Sequence, residues 1–163
     1  MSFKIPYQRI NNFSKLALDY LNHDEKLTPF INHFPEIENF AKQILEKKDH
    51  VVDRNLLVDV LKRQNSSLSL SKKTKDNIDL LALDNSFTVV TGHQLCLFTG
   101  PLYFIYKIIS TIKLCEQLAK KYSANNFIPV FWMASEDHDL QEVNHIHIFG
   151  KKIEWKSMLN GPV

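Results

Sequence analysis

Apolar positions recur at three- and four-residue spacing over the first half of the chain, then gather into β-branched and aromatic runs in the second. Leu16, Leu18, Tyr20 and Leu21 form one short stripe. Ile37, Phe40, Ala41, Ile44 and Leu45 form another just after Pro35, a residue suited to a first helical turn. Leu56, Leu57, Val60 and Leu61 repeat the spacing behind Asp53, a natural N-cap, and Ser71 precedes a fourth stripe at Ile78, Leu81 and Ala82. Glycine is absent from this half. The pattern predicts a bundle-like helical segment over residues 1–86.

The texture changes near residue 86. Phe87-Thr88-Val89-Val90-Thr91 reads as a buried strand closed by Gly92. Gly100-Pro101 opens a long helix with proline at its first position, and Leu102, Ile105, Tyr106, Ile109, Ile112 and Leu118 carry its apolar face to about Tyr122. A turn at Ser123-Ala124-Asn125-Asn126 leads to a second strand, Phe127 to Trp132, in which Pro129 suits a stretch without a neighbour on one side. Strand, crossover helix and strand predict a parallel pair in an α/β fold. His145 to Phe149 and Lys152 to Trp155 suggest a hairpin turning at Gly150. There is no internal repeat and no low-complexity tract.

Composition narrows the class. A chain of 163 residues, 44% hydrophobic and 23% charged, is globular rather than disordered, collagenous or coiled-coil. No apolar run reaches the roughly 18 residues that span a bilayer, and MSFKIPYQRINN has no signal-like apolar core, so the expectation is a cytoplasmic protein without membrane partners. Net charge is +2, with thirteen basic and twelve acidic residues before Phe87 and seven and six after it. No basic face suited to nucleic acid follows from that balance. The short run Lys72-Lys73-Thr74-Lys75 is a solvated helix end. Cys96 and Cys115 fit neither a redox CxxC pair nor a zinc ribbon.

Open parallel sheets bind ligands outside the carboxyl ends of their strands. Two polar stretches fall there. Thr91-Gly92-His93-Gln94 continues through Thr99 and Gly100 to Pro101 and holds two of the four glycines. A glycine directly after a strand admits an anion to backbone N–H groups, and the next helix adds its dipole. His93 and Gln94 offer further donors, so the stretch reads as a nucleotide or anion cradle. It lacks both GxxxxGK[ST] and GxGxxG, which argues against kinase-type and dinucleotide sites.

The second stretch is Ser135-Glu136-Asp137-His138-Asp139. Glu136 or Asp139 could orient an amine or hydroxyl, with His138 as acid, base or anion ligand. A plain acidic N-cap for a short helix over 137–143 is the other reading. His145 and His147 fall on one side of a strand, where they serve a metal with His138 or are simply satisfied by hydrogen bonds. Their spacing matches no metal motif. Leu95, Leu97 and Phe98 surround Cys96 with apolar groups, which makes it a poor nucleophile. Trp132, Phe131, Phe104 and Tyr106 read as core.

The run Val90-Thr91-Gly92-His93-Gln94-Leu95-Cys96-Leu97-Phe98-Thr99-Gly100-Pro101-Leu102-Tyr103, followed by Lys107, resembles the cysteine-adding enzymes of bacillithiol biosynthesis, the BshC family. So do Pro129 to Asp139, with Glu142-Val143-Asn144-His145 behind them, and Ile5-Pro6-Tyr7 near the start. His93 stands where many members carry Gln, and Cys96 where Gly or Asn is usual. The resemblance implies a Rossmann-like core of the class I nucleotidyltransferase type, related to cysteinyl-tRNA synthetases. Residues 87–163 would be its first, incomplete βαβ part. It implies a ligase joining L-cysteine to the amine of glucosaminyl malate, with ATP and Mg²⁺ activating the carboxylate.

The two motifs then mark Glu136, Asp137, His138 and Asp139 as catalytic. They mark Thr91, Gly92, His93, Gln94, Thr99, Gly100, Asn144 and His145 as substrate- and nucleotide-binding. No protein-held metal and no tightly bound cofactor is expected; the partners are the small substrates and, as an assembly, a homodimer. Family members are longer, so the chain reads as an N-terminal fragment inactive alone, because a switch-point site needs both halves of its sheet. Two other classes stand beside this one: a metal-dependent hydrolase using His138, Asp139, His145 and His147, and a non-catalytic binding remnant.

Overall fold

The computed structural model describes residues 3–10, 12–135 and 144–156, which form two compact units, Met1–His50 and Val51–Val163. In the first unit, helix α1 (Lys15–Leu21) starts at Ser14, whose Oγ accepts the Ala17 N–H at 3.2 Å. Helix α2 (Phe40–Lys48) does not begin at Pro35 as expected; a 3₁₀ turn at Ile37–Asn39 comes first. Glu46 on α2 accepts from Asn32 and from His33 Nε2, and these bonds hold its carboxyl below the usual carboxylate range.

The second unit carries the sheet. Helix α3 (Arg54–Gln64) is capped by Asp53, whose carboxylate accepts the Leu56 N–H at 2.9 Å. Helix α4 (Lys72–Leu80) is capped by Ser71, which accepts from the Thr74 N–H at 3.1 Å. Both caps match the expectation. The buried face of α3 does not: Val58 is 6% exposed whereas Leu56 is 56% exposed. Arg54 sets that rotation by donating to the Leu81 carbonyl at 3.1 Å, which turns the 54/58/61 face towards α4.

Strand β1 (Ser86–Gln94) pairs in parallel with β2 (Asn126–Ala134), from Ser86 opposite Asn126 to Gln94 opposite Ala134. Helix α5 (Leu102–Lys121) joins them, as the periodicity predicts. Both strands run longer than the apolar pattern, because ladder bonds continue through the polar Gly92-His93-Gln94 stretch. Pro129 is tolerated in β2, which has β1 as its one neighbour among the described residues. One face of the sheet packs on α5 through Phe104 against Phe131 and Tyr122 against Phe127. The other buries Ile128 and Val130 with Val58, Leu81, Leu61 and Ile78. Helices thus cover both faces, an α/β Rossmann-like arrangement.

Helix α5 buries only Leu118 of the face expected and otherwise seats a neighbouring stripe on the sheet. Cys115 and Leu118 are buried and Phe104, Ile108 and Thr111 half-buried, whereas Leu102, Ile105, Tyr106, Ile109 and Ile112 are exposed. The helix is apolar around most of its circumference, so periodicity finds two stripes and cannot rank them. The one seated on the sheet contains the small Thr111 and Cys115, which permit close approach. Pro101 is the N-cap residue, one place before the first helical turn.

The predicted hairpin forms from β3 (His145–Ile148) and β4 (Lys151–Glu154), antiparallel. Its two-residue turn has φ +49° at Phe149 and +76° at Gly150, the left-handed pair of a type I′ turn. Among the described residues no helix is long and apolar enough to cross a membrane.

Candidate functional site

Extension of β1 to Gln94 changes what Gly92 does. The residue lies inside the ladder opposite Trp132, and a Cβ there would stand 2.7 Å from the Trp132 carbonyl oxygen. Its bare Cα therefore serves the close approach of β2, in place of the loop cradle expected from sequence. Thr91 lies one residue earlier, opposite Phe131.

His93 is the first side chain of the stretch to face the open end. Its Nδ1 lies 2.9 Å from the Gln94 carbonyl oxygen and its Nε2 2.7 Å from Tyr103 Oη. The rings of Tyr103 and Phe104, from the first turn of α5, lie 5.2 and 5.6 Å from the imidazole. Lys107, one turn along, donates to the Gly92 carbonyl at 3.2 Å and sits 5.4 Å from the Tyr103 ring centre. Cys96 Sγ lies 3.4 Å from His93 Nδ1 and 3.5 Å from the Gln94 carbonyl.

The connection from β1 to α5 folds over this group. Phe98 and Gly100 both take positive φ, +48° and +60°. At Gly100 a Cβ would meet Cys96 Sγ at 2.9 Å, so the position is doubly restricted to glycine. Thr99 ends the 3₁₀ turn Leu97–Thr99 against which β3 packs. A cavity of about 500 Å³ results, lined by His93, Cys96, Gly100, Tyr103, His145 and His147 among others.

The structure thus brings three of the expected binding residues, His93, Gly100 and His145, to one cavity at the carboxyl end of β1. Asn144 is spent on the hairpin: it is buried, its carbonyl accepts the Trp155 N–H at 2.7 Å, and its side chain meets His145 Nδ1 at 3.2 Å and Glu154 at 3.5 Å. Gln94 contributes its backbone carbonyl. Glu136, Asp137, His138 and Asp139 lie outside the described residues. The His145 and His147 rings are 5.4 Å apart, and among the described residues no group of three His, Cys, Asp or Glu is arranged for a metal.

Tyr103, which lines the cavity, and Lys107, which contacts the Gly92 carbonyl and the Tyr103 ring, are residues to which the sequence reading gave no role. Their four-residue spacing at the start of α5, directly beside the end of β1, was the available signal.

A family model described as "Bacillithiol biosynthesis BshC, N-terminal Rossmann-like domain" matches residues 1–161. The chain belongs to the BshC family. It is 53% identical over 161 residues to the protein named "Putative cysteine ligase BshC" in Flavobacterium johnsoniae, covering 98% of this chain and 30% of that one. A protein of the same name in Christiangramia forsetii is 53% identical over 156 residues, covering 94% of this chain and 29% of the relative. The like-named Geobacillus thermodenitrificans protein is 40% identical over 136 residues, with 83% and 25% covered. The chain therefore spans about 30% of the length of the first of these relatives.

Proposed function

We propose that this chain supplies the amino-terminal part of a ligase that joins L-cysteine to the amine of glucosaminyl malate, the last step of bacillithiol synthesis. Relatives named cysteine ligase, matched over nearly the whole of this chain, support the proposal. The supporting structural observation is the cavity at the carboxyl end of a parallel strand pair, where open α/β sheets bind small ligands. ATP is the expected co-substrate: the cysteine carboxylate attacks its α-phosphorus and pyrophosphate leaves, then the sugar amine attacks the adenylate carbonyl, and AMP and a proton leave.

Within that scheme Lys107 places a positive charge beside β1, and Gly100 keeps the β1–α5 connection tight over the cavity. His93 and His145 supply polar contacts to a bound group. Among the described residues the cavity lining holds no carboxylate. Glu136, Asp137, His138 and Asp139 are the proposed acid–base and orienting groups for the amine.

The test exchanges the matched 161-residue segment of the Flavobacterium johnsoniae relative for this chain. The chimaera is incubated with ATP, magnesium, cysteine and glucosaminyl malate, and the product is followed by mass spectrometry. Product formation comparable to the parent is expected. A folded chimaera that makes none, beside an active parent, overturns the reading. The 163-residue chain alone is expected to make no product, because the donors that stabilise developing charge across the cavity must come from elsewhere in the fold.

A further inference from the structure

We propose that the Gln94 carbonyl sets His93 in the Nδ1–H tautomer and Tyr103 holds it there, so that the His93–Tyr103 pair turns a hydrogen-bond acceptor, rather than a donor, towards a ligand in the cavity. The ligand class follows: the His93–Tyr103 end takes a hydroxyl or amine group, not a phosphate. The second half of this inference rests on reading the cavity as the ligand site; the first half does not.

The argument starts at the Gln94 carbonyl, which can only accept. Its oxygen is 2.9 Å from His93 Nδ1. With a proton on Nδ1 the contact is a hydrogen bond. Without one, two lone pairs face each other at that distance, and Nδ1 keeps only the thiol of Cys96 at 3.4 Å, a weak donor. The carbonyl contact wins, so the neutral ring carries its proton on Nδ1.

Nε2 is then a bare acceptor, and its partner at 2.7 Å must donate. That partner is Tyr103 Oη, whose single proton is committed to the ring. What remains on the phenol is lone-pair capacity. Tyr103 is half-exposed and lines the cavity, so those lone pairs are what a ligand meets. A phosphodiester-type phosphate, which has no O–H and only accepts, would find no proton offered. A sugar hydroxyl or an amine would donate into the site.

Tyr103 is accordingly a positioning residue for His93 as well as a contact of its own. Reading the Thr91 to Gly100 stretch as an anion cradle makes His93 a donor to an anion. The hydrogen-bond polarity read from this geometry assigns the opposite, which separates the polar end of the cavity from any phosphate held by backbone N–H groups.

The experiment is long-range ¹H–¹⁵N NMR of the labelled 163-residue chain at pH 8, where an ordinary imidazole is neutral. His93→Gln identifies the ring signals by their loss. Protonated-type Nδ1 and unprotonated-type Nε2 shifts are expected, the reverse of the tautomer that free histidine prefers. In Tyr103→Phe the Nε2 signal moves as its donor is lost, while the tilted ring contact is kept. A wild-type ring protonated on Nε2, or a Tyr103→Phe spectrum identical to wild type, overturns the tautomer assignment.

Titration then reads the ligand class. D-glucosamine is expected to shift His93 Nε2, with a response about threefold to tenfold weaker in Tyr103→Phe, the worth of one hydrogen bond. Dimethyl phosphate, an anion without an O–H, is expected to leave that signal in place. A dimethyl phosphate response at least as large, or no response to either probe, overturns the ligand class. Product formation by the chimaera is scored separately, so a wrong polarity at His93 and a wrong ligase reading give different results.

Discussion

The two ends of the parallel sheet are built on opposite terms. At the amino end Ile128 is 3% exposed and packs with Val58 and Leu81, and Ser86 is buried with its hydroxyl bonded to the Leu80 carbonyl. Asn85 donates to the Ala124 carbonyl at 2.7 Å and its own carbonyl accepts the Asn126 N–H at 2.9 Å, which ties both strand starts together. At the carboxyl end Val90 is 57% and Trp132 60% exposed, and the interactions are polar ones among His93, Tyr103, Gly92 and Lys107. The same two strands, paired residue for residue from Ser86 opposite Asn126 to Gln94 opposite Ala134, are closed by packing at one end and left accessible at the other. Rigidity at the closed end is what lets the open end hold side chains in fixed positions for a ligand.

The largest effect that breaks this comparison is a cavity at the closed end. Ile128→Ala should cost about 2–5 kcal/mol of unfolding free energy, as large-to-small changes in a packed core do. Val90→Ala, on the neighbouring strand near the open end, should cost less than about 1 kcal/mol. Urea unfolding of the two variants measures both. Equal losses would mean that the open end carries as much packing as the closed one.

Next in size is Gly92→Ala. The new Cβ meets the Trp132 carbonyl at 2.7 Å, a backbone atom that cannot swing aside, so the strands must part locally. Overpacking of this kind costs about 1–3 kcal/mol. The damage should centre on the carboxyl end, read as faster amide exchange at residues 91–94 than at 86–89. Uniform loss of protection along β1 would contradict the division.

How much of this was legible in the sequence depends on the kind of signal. The parallel pair, its crossover helix, the hairpin and both N-caps were readable because β-branched runs, Gly-Pro punctuation and Asp53 and Ser71 act locally. The buried faces of α3 and α5 were not. Arg54 reaching the Leu81 carbonyl is a tertiary contact, and α5 carries two apolar stripes of nearly equal strength. The role of Gly92 was misread for the same reason: whether a glycine ends a strand or sits within one depends on the partner strand, here Trp132. At the site, the stretch from Thr91 to Gly100 was marked correctly as lying at the strand's carboxyl end. Tyr103 and Lys107 went unassigned because their importance comes from facing β1, which periodicity does not report.

A smaller effect is expected from the cap that anchors the closed end. Asp53→Ala removes the acceptor for the Leu56 N–H and should cost about 1 kcal/mol. Asp53→Asn, which keeps an acceptor oxygen, should recover most of it. Thermal unfolding of the pair checks this, and an Asn variant as unstable as the Ala one would show that the acceptor is not what matters.

The mildest probe changes no residue at all and reads the comparison through two thiols. Cys115 lies on α5 towards the closed end, 4% exposed, and burial with a smaller contribution from Glu116 pushes its thiol up to about 11. An acid raised that far is almost wholly protonated at pH 8, with a thiolate fraction on the order of one in a thousand. Cys96 lines the open cavity. Iodoacetamide at pH 8 should therefore modify Cys96 well before Cys115, with unfolding curves of the labelled and unlabelled protein nearly superimposed. Raising the pH should speed Cys115 about tenfold per unit until the region of 11, because each unit multiplies its thiolate by ten. Peptide mapping by mass spectrometry resolves the two sites. Modification of Cys115 as fast as Cys96 in the folded chain would mean that the amino end opens to reagent, and that the two ends of the sheet do not differ in the way their packing implies.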